Sequence, residues 1–586
     1  MHGFFNRLLR VDLSSQNYRA EKISDDILKT YFGGKGLASY LLLNEVKEGI
    51  DPLSEDNKLI FAIGSATDSK IPAASRYGVF SKSPLTNFYG ESYSGGKVAP
   101  QISRTGYDAI IFEGVSKSPV FVEISDEEVK FHSASHLWRK ETYETEDTVL
   151  KQVNIPGAQA VVIGPAGENL VRFSLIENNY WRSAGRCGMG AVMGSKKLKA
   201  IVFYGKKQRK FAHENLLKNY IKDLKAKGKD NPGVAAYRRL GTPQLVAITN
   251  KVGAFPTKYW SRGHRDDWEK ISGETLIKEL KVKSRACSGC FLACGKLSQV
   301  LKGRHKGLTI EGPEYETIYV FGGLCLIETL EEIVYLNDIC DRLGIDTITA
   351  GNLVAFVMEA SQRGAIDTKL NYGDAEGTAD LIKNIAGKKG LGAILSQGIK
   401  SASREFNLED LAIHVKGLEP PGYDPRILKG MSLAYGTSDR GACHLRATMY
   451  KAELSGMIAP DAIEGKAEIF VDFEDRHTLF DTLIFCRFYR DLIGWDDLSV
   501  VYEATTGLKL NKEDLKKICC NIMDTTRRFN IREGLTKKDD FPPPRFFTEP
   551  IEDGKVLREK DYEKMLSDYY YLRGWDKDGR PKESEA

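Results

Sequence analysis

At 586 residues, with Lys+Arg 84 against Asp+Glu 80 and a formal net charge of +4, the chain is close to electrically balanced and has no long basic run. That balance removes nucleic acid from the implied partners. No window offers roughly 18 uninterrupted apolar residues for a membrane span, and the start Met1-His2-Gly3-Phe4-Phe5-Asn6-Arg7 has no apolar signal core, so the expectation is a cytoplasmic protein of about three to four domains.

From the N-terminus to Gly205 the apolar runs are short, rich in β-branched residues and bounded by Gly, Pro or Asp, as at 8–13, 58–63, 109–113, 120–124 and 160–163. They predict a sheet-rich first domain, residues 1–207, closed by the charged linker Gly205-Lys206-Lys207-Gln208-Arg209-Lys210. Its loops are rich in glycine: Gly33-Gly34-Lys35-Gly36-Leu37, Tyr93-Ser94-Gly95-Gly96-Lys97, and Ala184-Gly185-Arg186-Cys187-Gly188-Met189-Gly190. Backbone without a Cβ can lie against a flat ring or a phosphate, with Lys35, Lys97, Arg186 and Lys196 supplying positive charge. None of these loops fits the dinucleotide fingerprint or the Walker loop. Several together predict a large phosphate-bearing cofactor, and Arg76 is a further candidate donor to an anion.

Beyond Lys206 the periodicity turns helical, at 214–228, 274–281, 328–343, 350–363, 376–388 and 390–405. Between these lies Ala286-Cys287-Ser288-Gly289-Cys290-Phe291-Leu292-Ala293-Cys294-Gly295. Three thiols at C-x2-C-x3-C spacing, with Gly289 and Gly295 allowing tight turns, can converge on an inorganic cluster or a metal and lack a fourth ligand. Structural zinc usually shows two separated ligand pairs, and no second C-x2-C or close His pair follows. A disulfide framework needs an oxidising compartment, whereas ten cysteines in 586 residues is an ordinary density. An iron–sulfur cluster is therefore the first reading of Cys287, Cys290 and Cys294, with zinc second. The spacing is the reverse of that common in radical enzymes that split S-adenosylmethionine. Cys187, Cys325, Cys340, Cys519 and Cys520 read as buried thiols that behave as small hydrophobes.

Two hexamers of the helical part share a plan. Asp341-Arg342-Leu343-Gly344-Ile345-Asp346 and Asp481-Thr482-Leu483-Ile484-Phe485-Cys486 each put an Asp five residues before a second ligand-type residue. Carboxylates accept paired N–H groups such as the amino-pyrimidine edge of a pterin, and Cys486 becomes the natural fourth cluster ligand.

With these motifs the chain resembles the aldehyde ferredoxin oxidoreductase family of tungsten-bis-pterin enzymes. Further matches are Gly312-Pro313-Glu314-Tyr315-Glu316-Thr317, Lys416-Gly417-Leu418-Glu419, Gly441-Ala442-Cys443-His444-Leu445-Arg446, Phe529-Asn530-Ile531-Arg532-Glu533-Gly534 and Arg573-Gly574-Trp575-Asp576. The resemblance implies an α+β fold: a β-rich N-terminal base domain, 1–207, that carries two pterins, then two mostly α-helical domains. The first, 208–411, holds the cluster loop and the first Asp motif; the second, 412–586, holds His444, Asp481 and Cys486. It also implies tungsten, or molybdenum, held by the pterin dithiolenes with no direct protein ligand, and Mg bridging the pterin phosphates. A [4Fe-4S] cluster on Cys287, Cys290, Cys294 and Cys486 completes the set. By the same matching Arg76 links cluster and pterin. Gly95, Gly96, Ala184, Gly185 and Arg186 lie in the pterin loops, and Asp341, Gly344, Asp346 and Asp481 in the pterin-binding motifs.

The implied reaction is oxidation of an aldehyde to a carboxylic acid, with electrons leaving through the cluster to ferredoxin or an iron–sulfur partner subunit. Glu314 is the matched general base, with Glu316 as its alternative. His444, expected to titrate near neutrality, holds the substrate oxygen or shuttles the proton. A related tungsten subunit that reduces an aromatic acyl-coenzyme A thioester, and a catalytically silent electron-transfer subunit, are the rivals. Departures from the family pattern are Tyr93 at a common Asn, Ile484 at a usual Gly and Cys187 at a usual Gly. Some relatives dimerise through an iron held by E-x-x-H motifs; Glu328, Glu331 and Glu332 have no His three residues on, which leaves homodimer and hetero-oligomer both open.

Overall fold

The computed structural model describes residues 1–582. Two six-stranded mixed sheets build the first third of the chain. In the first, the strands run in the order Asn17–Lys22, Arg7–Asp12, Ala109–Glu113, Leu59–Ala62, Tyr77–Lys82, Tyr89–Ser94; in the second, Arg182–Ala184, Ile176–Asn178, Gln159–Val162, Leu198–Phe203, Val120–Ile124, Val129–Ser133. Side chains alternate across a strand, so each strand feeds two cores. Leu9, Val11, Phe61, Ile110 and Phe112 point from the first sheet toward Val122, Val161, Ile201 and Phe203 of the second. The intervening residues Leu8, Ile60, Ala62, Phe80 and Ile111 face the other way, into a core shared with Leu37 and Leu41 and with Leu479, Leu483 and Tyr502 from far along the chain. Phe121, Ala160, Val162 and Val202, on the back of the second sheet, are covered by Val149 of the helix Thr142–Val153. The mostly exposed edge strand Asn17–Lys22 is kept from further pairing by its charges.

The rest is mostly helical, with long helices Leu330–Leu343, Thr347–Gln362, Lys466–Leu483, Lys512–Arg532 and Glu559–Arg573. One departure from the sequence expectation matters for function. The helix expected over 274–281 stops at Glu279, and Leu280–Arg285 continues as a strand paired antiparallel with Gly295–Val300, which in turn pairs with Thr309–Glu311. The pairing of Arg285 with Gly295 makes residues 286–294, which hold all three clustered cysteines, the tip of a hairpin.

The sheets meet the helices through glycine. A Cβ on Gly64 would lie 2.5 Å from the Leu483 carbonyl, and one on Gly34, at φ +48°, would lie 2.2 Å from the Asp481 carbonyl oxygen. The loop Gly33–Leu37, read from sequence as facing a ligand, is thus a packing device, and its Lys35 is buried against Asp439 at 2.5 Å and Glu91 at 3.3 Å. Lys196 likewise offers no free charge: it is buried on the Glu55 and Gly114 carbonyls, and burial pulls its pKa down to about 7. Gly64→Ala is expected to cost about 1–3 kcal/mol through overpacking, read as a lower apparent Tm.

Candidate cofactor and active site

The hairpin tip is organised by its backbone. The Cys290 amide donates to the Cys287 carbonyl at 3.1 Å, Gly289 sits at φ +70°, and the Ser288 amide donates to the Gly96 carbonyl at 3.0 Å. The Gly96 amide returns a hydrogen bond to the Cys287 sulfur at 3.2 Å, and a Cβ on Gly95 would lie 2.9 Å from that sulfur. Gly95 is therefore a glycine because a thiol lies against it, and Gly96 because its backbone sits at φ +94° with Asn178 and Asn179 where a Cβ would be. Cys486 arrives from the far end of the chain, just past the helix Lys466–Leu483, which ends on Ile484 in the left-handed region; its amide donates to the Ala73 carbonyl at 3.0 Å. Cys287, Cys290, Cys294 and Cys486 line one cavity of about 240 Å³ together with Arg76, Tyr93 and Arg182.

The spacing of these sulfurs bears on the two readings left open by the sequence. Zinc with Zn–S bonds near 2.3 Å needs sulfurs about 3.8 Å apart on a tetrahedron. No three of the four lie within 4.8 Å of one another. They surround a space larger than one ion, which suits a cluster. Burial, followed by the neighbouring Cys486, pushes the Cys290 thiol up, and burial with the Glu314 carboxylate pushes Cys294 well up. Such thiols become ligands only when a positively charged group displaces their protons.

A second cavity, of about 150 Å³, adjoins the first and shares Arg76, Glu314, Cys486 and Phe488 with it. Here His444 Nε2 lies 3.6 Å from Glu316 Oε1. Glu316 Oε2 accepts the Gly422 amide at 2.9 Å while Oε1 has no partner. Burial raises the Glu316 pKa to about 8. His444 departs from the sequence expectation: burial, then Arg440 and Arg186, hold its pKa well below the ordinary value, so it is neutral at pH 7. Glu314 lines the same cavity but accepts the Thr242 hydroxyl. Tyr423 and Tyr450, stacked with centroids 4.1 Å apart, form an aromatic wall beside His444.

Buried charge surrounds both cavities. Asp481 accepts Arg446 at 2.6 Å and Arg487 at 2.5 Å, and Arg440 donates to the Glu91 carbonyl at 2.7 Å. The Nε atoms of Arg76, Arg440, Arg446, Arg487 and Arg490 are buried without an acceptor. Orphaned guanidinium donors are costly unless an anion meets them, and phosphates have the right chemistry. Arg186 forms a second node with Asp346 at 3.1 Å and the Glu419 carbonyl at 2.9 Å; its amide, following Ala184 and Gly185, reaches the Ser92 hydroxyl at 3.1 Å. Asp346 also caps the helix Thr347–Gln362, and Gly344 closes the preceding helix in the left-handed region.

Asp341 is not brought to Arg186. It receives Asn337 at 2.7 Å, and burial followed by Asp338 drives its pKa well above the carboxylate range. Glu177, with both carboxylate oxygens buried and unpartnered, and Glu146, raised to about 7 by burial, lie on the same side. The unpartnered Glu177 oxygens suit the amino edge of a pterin as the orphaned arginines suit its phosphates, so the residues present fit a large cofactor with both kinds of edge.

Sequence reasoning passed over Cys443. Burial opposes its ionisation, but Arg440 at 2.9 Å and Arg446 outweigh burial and hold the thiol below its ordinary pKa. It also passed over His305, which the fold brings to Glu331 and Glu332, where E-x-x-H spacing was lacking; the ligand atoms of these three lie within 4.8 Å of one another. Arg304 already spans Glu332 and Glu376 beside them. Cys187, Cys325, Cys340 and Cys519 are buried and free, as expected, and Cys520 is half-buried.

Paired thiol and acid–base cavities inside a shell of buried arginines define a cofactor-dependent redox enzyme. Sequence models described as aldehyde ferredoxin oxidoreductase, N-terminal domain, and aldehyde ferredoxin oxidoreductase, domains 2 and 3, match residues 8–205 and 219–586. The chain belongs to the aldehyde ferredoxin oxidoreductase family and is an oxidoreductase. It is 37% identical to the tungsten-containing aldehyde ferredoxin oxidoreductase of Pyrococcus furiosus, over 100% of this chain and 98% of that protein. The protein of the same description from Thermococcus kodakarensis is 36% identical over the same shares. The aliphatic sulfonate oxidoreductase, WOR-like subunit, of Pyrococcus furiosus is 29% identical over 100% and 96%. A chain of the active-site complex of benzoyl coenzyme A reductase with 1,5-dienoyl-CoA superposes with a TM-score of 0.86 at 24% identity, covering 99% of this chain and 96% of that one. Among the described residues no helix is long and apolar enough to cross a membrane.

Proposed function

We propose that the chain oxidises a small aldehyde to its carboxylic acid, R-CHO + H2O giving R-COOH, two protons and two electrons. A tungsten bis-pterin would be held by the arginine shell and by Asp341, Asp346 and Asp481, with Mg among its phosphates. A [4Fe-4S] cluster would be held by Cys287, Cys290, Cys294 and Cys486. When bound, the metal centre supplies a two-electron acceptor and the cluster a one-electron exit toward ferredoxin or an iron–sulfur partner. The observation that carries this reading is the wall common to the two cavities: Arg76, Glu314, Cys486 and Phe488 border both the acid–base pocket and the thiol pocket.

The catalytic pair we infer is Glu316 with His444; Glu314, held by Thr242, stands nearer the cluster thiols. With its pKa at about 8, Glu316 is an acid at pH 7 whose unpartnered Oε1 can donate to the aldehyde oxygen. Neutral His444 accepts a proton from the attacking water. As Glu316 gives up its proton, the new carboxylate at 3.6 Å favours the imidazolium that forms. The aromatic walls seat the substrate's apolar end. A cavity of about 150 Å³ favours a small aldehyde over a coenzyme A thioester, since drug-sized ligands occupy roughly 300–1,000 Å³.

Protein purified without air should contain about four iron atoms and one tungsten per chain and reduce a viologen dye only when aldehyde is added. Colourless protein with zinc at the hairpin would overturn the reading.

A further inference from the structure

The charged linker at 205–210 contributes nothing to the two cavities above, yet it is fixed in place. A Cβ on Gly205 would lie 2.2 Å from the Arg104 carbonyl oxygen, and the Gly3 amide donates to the Lys210 carbonyl at 2.9 Å. The linker borders a third cavity, of about 620 Å³, where the N-terminal sheet domain meets the helix Glu214–Lys229. Leu217 and Ile221, one turn apart on a single face of that helix, and Phe211 just before it give the cavity an apolar lining. Its charged lining is one-sided: Lys70, Arg104, Lys206, Arg209 and Lys218 stand against Asp68 and Glu214. Both acids are already engaged, Asp68 by Arg104 at 2.9 and 3.2 Å and Glu214 by Lys218 at 3.8 Å. Lys70, exposed and held in the left-handed region at φ +69°, and Lys206 form no ion pair among the described residues. Arg209 is only 8% exposed. Its Nε donates to the Ser103 hydroxyl at 2.9 Å, and its Nη1 to Asp108 at 2.8 Å and the Gly3 carbonyl at 2.7 Å. The guanidinium lies over the Phe5 ring at 4.7 Å, and Nη2 is buried with no acceptor. Burial lowers the Arg209 pKa even with Asp108 beside it. A buried N–H without an acceptor is costly, and an oxyanion is the acceptor that suits a guanidinium.

We propose that this cavity is a binding site for a small amphipathic organic anion, with its oxyanion head on Arg209, Lys70 and Lys206 and its hydrocarbon or aromatic body on Phe211, Leu217 and Ile221. The volume lies within the roughly 300–1,000 Å³ that drug-sized ligands occupy. Ligand cavities also favour junctions between domains, where a linker can close over the occupant. A bare inorganic anion would leave the apolar lining in water, and a cation would meet five basic groups. A carboxylate and a phosphate monoester share the head chemistry that a guanidinium and two ammonium groups recognise. The site stands apart from the functional reading above, because it shares no residue with the thiol cavity or the acid–base cavity.

The test uses the holoenzyme, with the fluorescent aryl sulfonate anilinonaphthalene sulfonate as probe and octanoate, phenyl phosphate and inorganic phosphate as competitors. Wild-type protein should bind the probe, and octanoate or phenyl phosphate should displace it; whichever competes better identifies the head as carboxylate or phosphate ester. Lys70→Glu combined with Lys206→Glu should raise the probe's Kd about 10-fold or more, the scale of lost charge-assisted contacts. Lys225→Glu combined with Lys229→Glu makes the same change of charge outside the cavity and should leave that Kd where it is. Arg209→Lys keeps the charge but removes Nη2, and should also weaken binding. Circular dichroism and iron content should be unchanged in the Lys70/Lys206 variant. The binding readout needs no turnover, so it stands even if no aldehyde is oxidised and the functional reading fails alone. Equal probe binding by wild-type protein and the Lys70/Lys206 variant would overturn the proposal. So would equal loss in the Lys225/Lys229 variant, or displacement by inorganic phosphate as effective as by either organic anion.

Discussion

Cys486→Ser is expected to remove the electron exit while leaving the fold in place. The Cys486 backbone, not its thiol, makes the structural contact, through the amide that donates to the Ala73 carbonyl at 3.0 Å. Exchanging sulfur for oxygen therefore disturbs no hydrogen bond of the native chain. It does remove one of four soft donors around a cavity sized for a cluster. Changes merely adjacent to metal ligands cost about 10–100-fold in affinity or activity, so losing a ligand should lower aldehyde-to-ferredoxin turnover by about 100-fold or more. Iron content should drop and the reduced cluster's EPR signal should vanish or convert, with circular dichroism unchanged. An unaltered spectrum would show that Cys486 holds no iron.

The legible and illegible parts of this site differ for physical reasons. Short β-branched runs bounded by Gly, Pro or Asp announced the sheets, and they are continuously apolar because each strand divides its side chains between two cores, as Leu8 and Leu9 do. The thiol spacing announced a loop whose three cysteines line one cavity, since they are local in sequence. The hairpin that presents them was missed: only Leu280-Lys281-Val282-Lys283 alternates apolar and polar residues, and its first two residues directly follow the helix Gly273–Glu279 and read as its end. Glycine was ambiguous in principle. Gly95 and Gly34 both need the absence of a Cβ, yet one accommodates the Cys287 thiol and the other the Asp481 carbonyl, and composition cannot tell which neighbour arrives. The charge of His444 was equally beyond reach, because burial and four surrounding arginines set it. Choosing between Glu314 and Glu316 also needed the fold. Glu314 is the extended cap residue of the helix Tyr315–Ile318 and Glu316 lies in its first turn, and one faces Thr242 while the other faces His444.

That divergence gives the largest expected catalytic effect. Glu316→Gln keeps the volume and the acceptor for the Gly422 amide but removes the transferable proton. If Glu316 donates to the aldehyde oxygen, kcat should fall by about 10²–10⁴-fold, the range of a positioned acid–base group, with iron and tungsten retained. His444→Ala should fall comparably. The double variant should be little worse than either single one, since the two residues act as a unit, one protonating the aldehyde oxygen as the other deprotonates the attacking water. The pH profile carries the sign. In the folded protein Glu316 is protonated below about 8 and ionised above it, so wild-type kcat/KM should decline as pH rises through about 8. The same ionisation buries a carboxylate whose unfolded pKa is near 4.5, so this group's contribution to stability is full below that value and is lost as pH rises through about 8. Glu316→Gln should abolish both dependences together, whereas Glu314→Gln should leave the alkaline limb of activity where it is. An alkaline limb that survives in Glu316→Gln and disappears in Glu314→Gln would transfer the acid role to Glu314.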